Sequence, residues 1–186
     1  MGSALTKNYD VEKEPYISGG QFGLWKVFRA RKKFSATPDN ADVSIFMLDK
    51  KLVTKKNTDP KKQQELFDIL KRDAQNLAKF RHPSMLNLIE APIEDKSLIA
   101  FVTEPVEYTL ANLENDASKK DLIPSDVDLK CIVLELMECV NFLHSNTKSI
   151  HMNISPEHLY VTKSGKLKLA GLNFITSITS PDPIPY

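Results

Sequence analysis

One stretch of this chain gathers the polar side chains best placed to do chemistry together. From Ser149 to Phe174 it reads S-I-H-M-N-I-S-P-E-H-L-Y-V-T and then K-S-G-K-L-K-L-A-G-L-N-F. The polar part brings together His151, Asn153, Ser155 and His158. Asn153 is an amide and takes no proton at neutral pH, so it cannot act as a general base. His158 could ligate a transition metal, but no partner ligand stands near it in sequence, and it reads as a loop or surface histidine. Magnesium wants hard oxygen ligands, usually carboxylates. Gly171 offers no side chain, and Asn173 is close but uncharged. A second candidate is Ser18-Gly19-Gly20-Gln21-Phe22-Gly23. A turn this rich in glycine lets backbone N–H groups approach a phosphate, and it serves equally as a plain hairpin turn.

Regular elements must hold these residues. Two short apolar runs flank Lys163-Ser164-Gly165 and predict a hairpin after the polar loop. Upstream, Tyr9 to Ile17 suits a first strand, Leu24 to Arg31 a second and Val43 to Leu48 a third. Arg31 to Asn40 is polar, contains Pro38 and reads as loop. Asp59-Pro60 opens a helix. Leu66, Leu70, Ala74 and Leu77 recur at helical spacing down to Phe80, and His82-Pro83 ends it. Strands follow over about Met85 to Glu90 and Leu98 to Thr103. Glu104 to Glu107 is a connector. Ser125-Asp126-Val127-Asp128 caps a long helix to about His144, with Leu129, Ile132, Val133, Leu136, Val140 and Leu143 on one stripe. Beyond Phe174, Pro181, Pro183 and Pro185 leave little chance of regular structure. The fold class is α+β.

Composition narrows the function classes. The chain has 186 residues, 41% hydrophobic and 26% charged, which suits a globular core. A net charge of +1 gives no case for nucleic acid. No apolar run is long enough for a membrane span. Cys131 and Cys139 share one helical stretch, lack metal spacing and read as buried thiols. Met1-Gly2-Ser3-Ala4-Leu5-Thr6 fits the short pattern for N-myristoylation.

Seven pieces in order carry a resemblance: I-S-G-G-Q-F-G-L-W-K-V-F, D-V-S-I-F-M-L-D-K-K-L, F-R-H-P-S-M-L, T-E-P-V, N-F-L-H-S, H-M-N-I-S-P-E-H-L and G-L-N-F. Together they resemble a protein kinase domain. More narrowly they resemble the Scy-like pseudokinase family, nearest its coated-vesicle-associated kinase branch. The catalytic loop H-R-D-L-K-P-E-N then keeps His151, Pro156 and Glu157. Met152 and Asn153 replace the arginine and the aspartate base, Ser155 the lysine, and His158 the metal-binding asparagine. D-F-G becomes Gly171-Leu172-Asn173. Gly20 and Gly23 hold the second and third glycine positions of the phosphate loop, with Ser18 at the first and Trp25 at the valine. V-A-I-K becomes Val43-Ser44-Ile45-Phe46, so Phe46 stands where the phosphate-binding lysine would. Lys50 and Lys51 lie beyond the strand's pocket-facing stretch, and Lys26 points away if Trp25 faces the cleft. The helix glutamate maps to Asp73, expected to be a solvated acid. The adenine space maps to Trp25, Ser44 and Tyr160, with Thr103, Glu104 and Val106 on the connector. Trp25 and Tyr160 are oversized for it, while the Glu104 carbonyl and the Val106 amide remain to serve a base. Leu77, His151 and Leu172 map to an apolar column that links the two lobes.

The resemblance implies a kinase-like five-stranded upper lobe (1–104), a partial helical lower lobe (105–174) and an unstructured tail (175–186). It implies a catalytically inactive scaffold with no metal or cofactor, weak ATP binding at most, and no sensitivity to magnesium. The rival reading is an ATP-binding protein kinase with atypical residues. By resemblance the partners are proteins, among them clathrin coat or adaptor components. The place is cytoplasmic, peripheral on Golgi, endosomes or coated vesicles. A kinase lower lobe continues well past this point, so the chain is expected to be a fragment whose long helix exposes part of its stripe.

Overall fold

A computed structural model describes residues 4–19, 23–34, 41–56, 59–114 and 124–179. Gly20, the Gly2 pattern, most of the Pro38 loop and the proline-rich end lie outside the described residues. In chain order the upper half holds α1 (Ala4–Asn8), β1 (Tyr9–Val11), β2 (Ile17–Gly19), β3 (Trp25–Lys32), β4 (Asp42–Asp49), α2 (Lys50–Lys56), α3 (Pro60–Lys79), β5 (Leu88–Glu94) and β6 (Leu98–Thr103). The strands form one sheet in the order β1-β3-β4-β6-β5, with β2 also on β3. All of its pairings are antiparallel.

The expected first strand is broken. Pro15 has no N–H to give the ladder. The chain nonetheless stays on β3 across the break, through Glu12 N–H to the Arg29 carbonyl and Tyr16 N–H to the Val27 carbonyl. The expected fourth strand starts later and runs further, Leu88 to Glu94. Its Pro92 is tolerated because β5 is the outer strand and is bulged there. Met85 instead bridges to Leu169 in the lower half. α2 falls on Lys-rich sequence without apolar periodicity, which predicted no helix.

α3 forms where its signals are. Asp59 caps it by accepting from the Lys61 amide, and Pro60 opens it. Phe67, Leu70, Ala74 and Leu77 are its buried face. A fully buried Leu or Phe contributes about 1.5–3 kcal/mol, so this face is what fixes α3 beneath the sheet.

The lower half holds β7 (Tyr108–Thr109), α4 (Leu110–Glu114), α5 (Asp126–Ser145), β8 (Ser149–Ile150), a 3-10 turn (Pro156–His158), β9 (Leu159–Val161), β10 (Leu167–Leu169), a second 3-10 turn (Leu172–Phe174) and β11 (Thr176–Ser177). The predicted hairpin is β9–β10, turning at Gly165 with φ of 78°. The end of the described chain departs from expectation. Thr176 and Ser177 pair with Ile150 and Ser149, so the 175–186 segment begins as an ordered ribbon.

The capping box of α5 is present, with Ser125 and Asp128 each bonding the other's backbone. Its buried residues are Ile132, Cys139 and Leu143. Leu129, Val133, Leu134 and Met137 are exposed, so part of the apolar stripe does face outward. Cys131 is also exposed, contrary to its reading as a buried thiol. It sits on the flank of α5 away from the stripe that Cys139 shares with Leu143.

Candidate functional site

The upper wall of the cleft is an aromatic cluster. Phe46 projects from the middle of β4, and its ring stacks on Phe101 of β6 at 4.7 Å with 11° between the planes. Trp25 meets the edge of Phe101 at 5.0 Å, and Tyr160 meets the edge of Phe46 at 5.5 Å. All four rings are buried. Strand alternation brings Trp25, Phe46 and Phe101 to one face of the upper sheet, where Phe46 and Phe101 are direct cross-strand partners, and Tyr160 reaches them from β9 of the lower half. Burial also pushes the Tyr160 phenol far above its ordinary pKa, so it stays neutral. Lys26 lies outside this cluster and donates to the Ser18 hydroxyl. Lys50 turns to Glu94, at 2.7 Å. Gly23, with φ of 64°, has open space around it.

The connector corrects one expectation. The Val106 amide is not left to serve a base; it donates to Ser44 Oγ at 3.0 Å. The Tyr16 hydroxyl donates to the Val106 carbonyl at 2.7 Å and lies 2.7 Å from Ser44 Oγ. Thr103 Oγ1 is 2.9 Å from the Glu104 carbonyl. The Glu104 carboxylate points elsewhere, to Lys168 and to the Asn87 amide. Tyr16 was missed by sequence reasoning. Its only signal was an aromatic hydroxyl one residue before the strand that leads into the glycine turn.

The lower loop is tied together by its polar side chains. His151 Nε2 is 3.0 Å from the Ala170 carbonyl, and its Nδ1 accepts from the Asn153 amide. Asn153 Nδ2 donates to Asn173 Oδ1 and, more weakly, to the Gly171 carbonyl. Burial lowers the His151 pKa to about 4, so the ring is neutral at physiological pH. Leu77, His151 and Leu172 are all buried.

His158 is not a surface histidine. It is 4% exposed, with Nδ1 2.9 Å from Ser155 Oγ and Nε2 buried without a partner among the described residues. Its ring lies directly over Gly171. A Cβ on Gly171 would come within 2.5 Å of His158 Cγ and 2.6 Å of Cδ2. Gly171 also sits at φ of 78°, which suits glycine. The imidazole therefore fills the space that any side chain at position 171 would need.

Asp73 is not a solvated acid either. Its Oδ1 accepts from the Leu172 amide at 2.8 Å, and Asn76 Nδ2 donates to the Leu172 carbonyl at 2.7 Å. One turn of α3 thus grips both backbone groups of Leu172. Burial raises the Asp73 pKa to about 6, against the pull of its backbone donors. The folded protein then holds this proton more tightly than the unfolded chain does. Its contribution to stability is greatest below the unfolded value and is lost as pH rises through about 6. Asp73→Asn keeps the acceptor and removes the charge. Relative to wild type it should gain about 1 kcal/mol between roughly pH 5 and pH 7.5, as one pKa unit is worth about 1.4 kcal/mol. Urea melts of the two proteins at both pH values check this, and parallel pH profiles would contradict it.

An antiparallel sheet with one helix clamped beneath it, a connector, and a histidine loop followed by a hairpin together define a kinase-like fold. Residues 41–183 match the protein kinase domain family, so the chain belongs to that family. Within it the chain falls among the Scy-like, kinase-like members. It is 37% identical over 190 residues to "SCY1-like protein 2" of Homo sapiens and 36% identical to its Mus musculus counterpart, matching 97% of this chain in each case. It is 28% identical over 194 residues to "Protein kinase-like protein SCY1" of Saccharomyces cerevisiae, matching 95% of this chain. The chain spans 20% of the length of each mammalian relative and 24% of the yeast protein.

Proposed function

We propose that this chain is a kinase-like binding domain that transfers no phosphoryl group. The observation that carries the reading is the position of Phe46. The β4 residue that the resemblance aligns with the phosphate-binding lysine is a phenyl ring locked between Phe101 and Tyr160. Phosphoryl transfer depends almost wholly on positioned charge. Asn153 supplies no base, and the His158–Gly171 contact supplies no carboxylate and no room for one. These residues do not fit a magnesium ion, which wants hard oxygen ligands in near-octahedral order. Packing supports the same view: Leu77, His151 and Leu172 are all buried, and Asp73 and Asn76 of α3 hold Leu172 by both its backbone groups.

The larger role follows from the family resemblance: a protein-binding scaffold, bound peripherally to coated vesicles between Golgi and endosomes, with coat or adaptor proteins as partners. No helix among the described residues is long and apolar enough to cross a membrane.

A thermal-shift assay with ATP, with and without magnesium, tests the first part. We expect no magnesium-dependent shift. A rise of several degrees that needs the metal would favour the rival reading, a protein kinase with atypical residues. Ligand-linked stabilisation of that size is about 2.7 kcal/mol at a hundredfold excess over Kd.

A further inference from the structure

We propose that Tyr16 and Ser44 are a built-in stand-in for the edge of a purine, filling the connector of this cleft from within the chain. The proposal deepens the reading of a cleft that transfers no phosphoryl group and binds ATP weakly at most, and rests on it.

Three hydrogen bonds close a ring. The Val106 N–H donates to Ser44 Oγ at 3.0 Å. The Tyr16 hydroxyl donates its only proton to the Val106 carbonyl at 2.7 Å. In the third contact, at 2.7 Å, Ser44 must then be the donor and Tyr16 the acceptor. Each hydroxyl gives once and receives once, so the ring has no group left over. Cooperative polarisation strengthens such closed chains in a low-dielectric setting, and Ser44 and Val106 are both buried. An N–H carries one proton, so while Ser44 holds the Val106 amide no base can use it.

The ring is braced from outside. The Arg29 guanidinium lies 4.5 Å from the centre of the Tyr16 ring and pairs with Glu107 at 2.9 Å. Tyr16 is also fixed by its own amide on the Val27 carbonyl. Thr103 Oγ1 completes the set on the Glu104 carbonyl. The two connector groups that the resemblance leaves to a base, the Glu104 carbonyl and the Val106 amide, thus each face a hydroxyl of this chain, and so does the Val106 carbonyl. A ligand that displaced the ring would have to replace all of these bonds, not merely find space. Trimming the oversized rings beside the cleft should therefore be insufficient on its own to admit a base. The chemistry that fits once the ring is removed is a neutral aminopurine nucleoside, with its amino group toward the Glu104 carbonyl.

The test uses the full chain in four forms: wild type, Trp25→Val/Tyr160→Leu, Tyr16→Phe/Ser44→Ala, and all four changes together. Adenosine binding by calorimetry is expected to be at least tenfold tighter in the fourfold variant than in Trp25→Val/Tyr160→Leu. Equal affinities in the two folded proteins would overturn the inference and leave intact the reading of the natural chain as a domain that transfers no phosphoryl group. Tight, magnesium-dependent ATP binding by wild type would instead overturn the underlying reading. Because the core changes can prevent folding, amide exchange at Val106 provides a second readout in Ser44→Ala, a small change. Exchange there should accelerate at least tenfold relative to Val102, and an unchanged rate would overturn the proposal.

Discussion

Phe46→Lys is expected to yield no phosphoryl transfer and to lose on the order of 3–5 kcal/mol of stability. The loss has two sources. The ring that stacks on Phe101 and meets Tyr160 disappears, and an ammonium enters a site closed by aromatic faces. The acid that the resemblance would offer as its partner is Asp73, which is already committed to the Leu172 amide. Burial also holds Asp73 partly protonated near neutral pH. The lysine should therefore shed its proton or force the cluster apart. Activity stays absent because Asn153 and Gly171 are unchanged. Denaturant midpoints and a γ-phosphate transfer assay check both halves. A variant as stable as wild type, or one with measurable transfer, would show that Phe46 does not hold the position assigned to it.

The second large effect belongs to Gly171. Gly171→Ala should cost on the order of 3 kcal/mol or more, from overpacking against His158 and from a β-carbon at positive φ. The atoms that the new Cβ meets belong to the root of the imidazole, at 2.5–2.9 Å, and not to the end of a flexible chain. Gly171→Asp, the change that would restore a metal-binding carboxylate, should fare no better. His158→Ala in the same chain should recover the steric part and leave the backbone part, so the pair is coupled by about 1–3 kcal/mol. A double-mutant cycle on urea midpoints measures this. Additive effects would mean that the ring does not occupy the side-chain space of position 171.

Much of the fold was legible because local signals agreed with the tertiary result. Asp59-Pro60 and the Leu70, Ala74, Leu77 spacing gave α3, and Ser125 with Asp128 gave the start of α5. Local apolar runs marked most of the strands, and the protein kinase resemblance assigned them to one upper lobe. What escaped was set by contacts between residues far apart in sequence. Met85 has a strand-like neighbourhood, but it pairs with Leu169, which no local window contains. The strand read over Met85 to Glu90 stops short of Pro92, while an outer strand with bulges accepts that proline and runs on to Glu94. In the site, Asn153, Ser155 and His158 were legible as a polar loop, but their partners were not. His158 reads as a loop histidine until the β9–β10 hairpin returns Gly171 beneath it. Asp73 reads as a surface acid until the turn after β10 brings the Leu172 amide and carbonyl against α3. The Tyr16–Ser44–Val106 ring joins three separate strands and loops, and no spacing rule reports it.

The aromatic cluster has an optical consequence. Trp25 is the single tryptophan of the chain, and it is buried at one end of the cluster, 5.0 Å from Phe101. Its emission therefore comes from the cleft wall alone, with no second indole to dilute it. Water reaching the cleft, a base sliding in beside Tyr160, or the upper sheet opening would each change the surroundings of that one ring. The residue that crowds the cleft is also a fluorescent reporter already in place, so events at this site can be followed in the natural chain without a label.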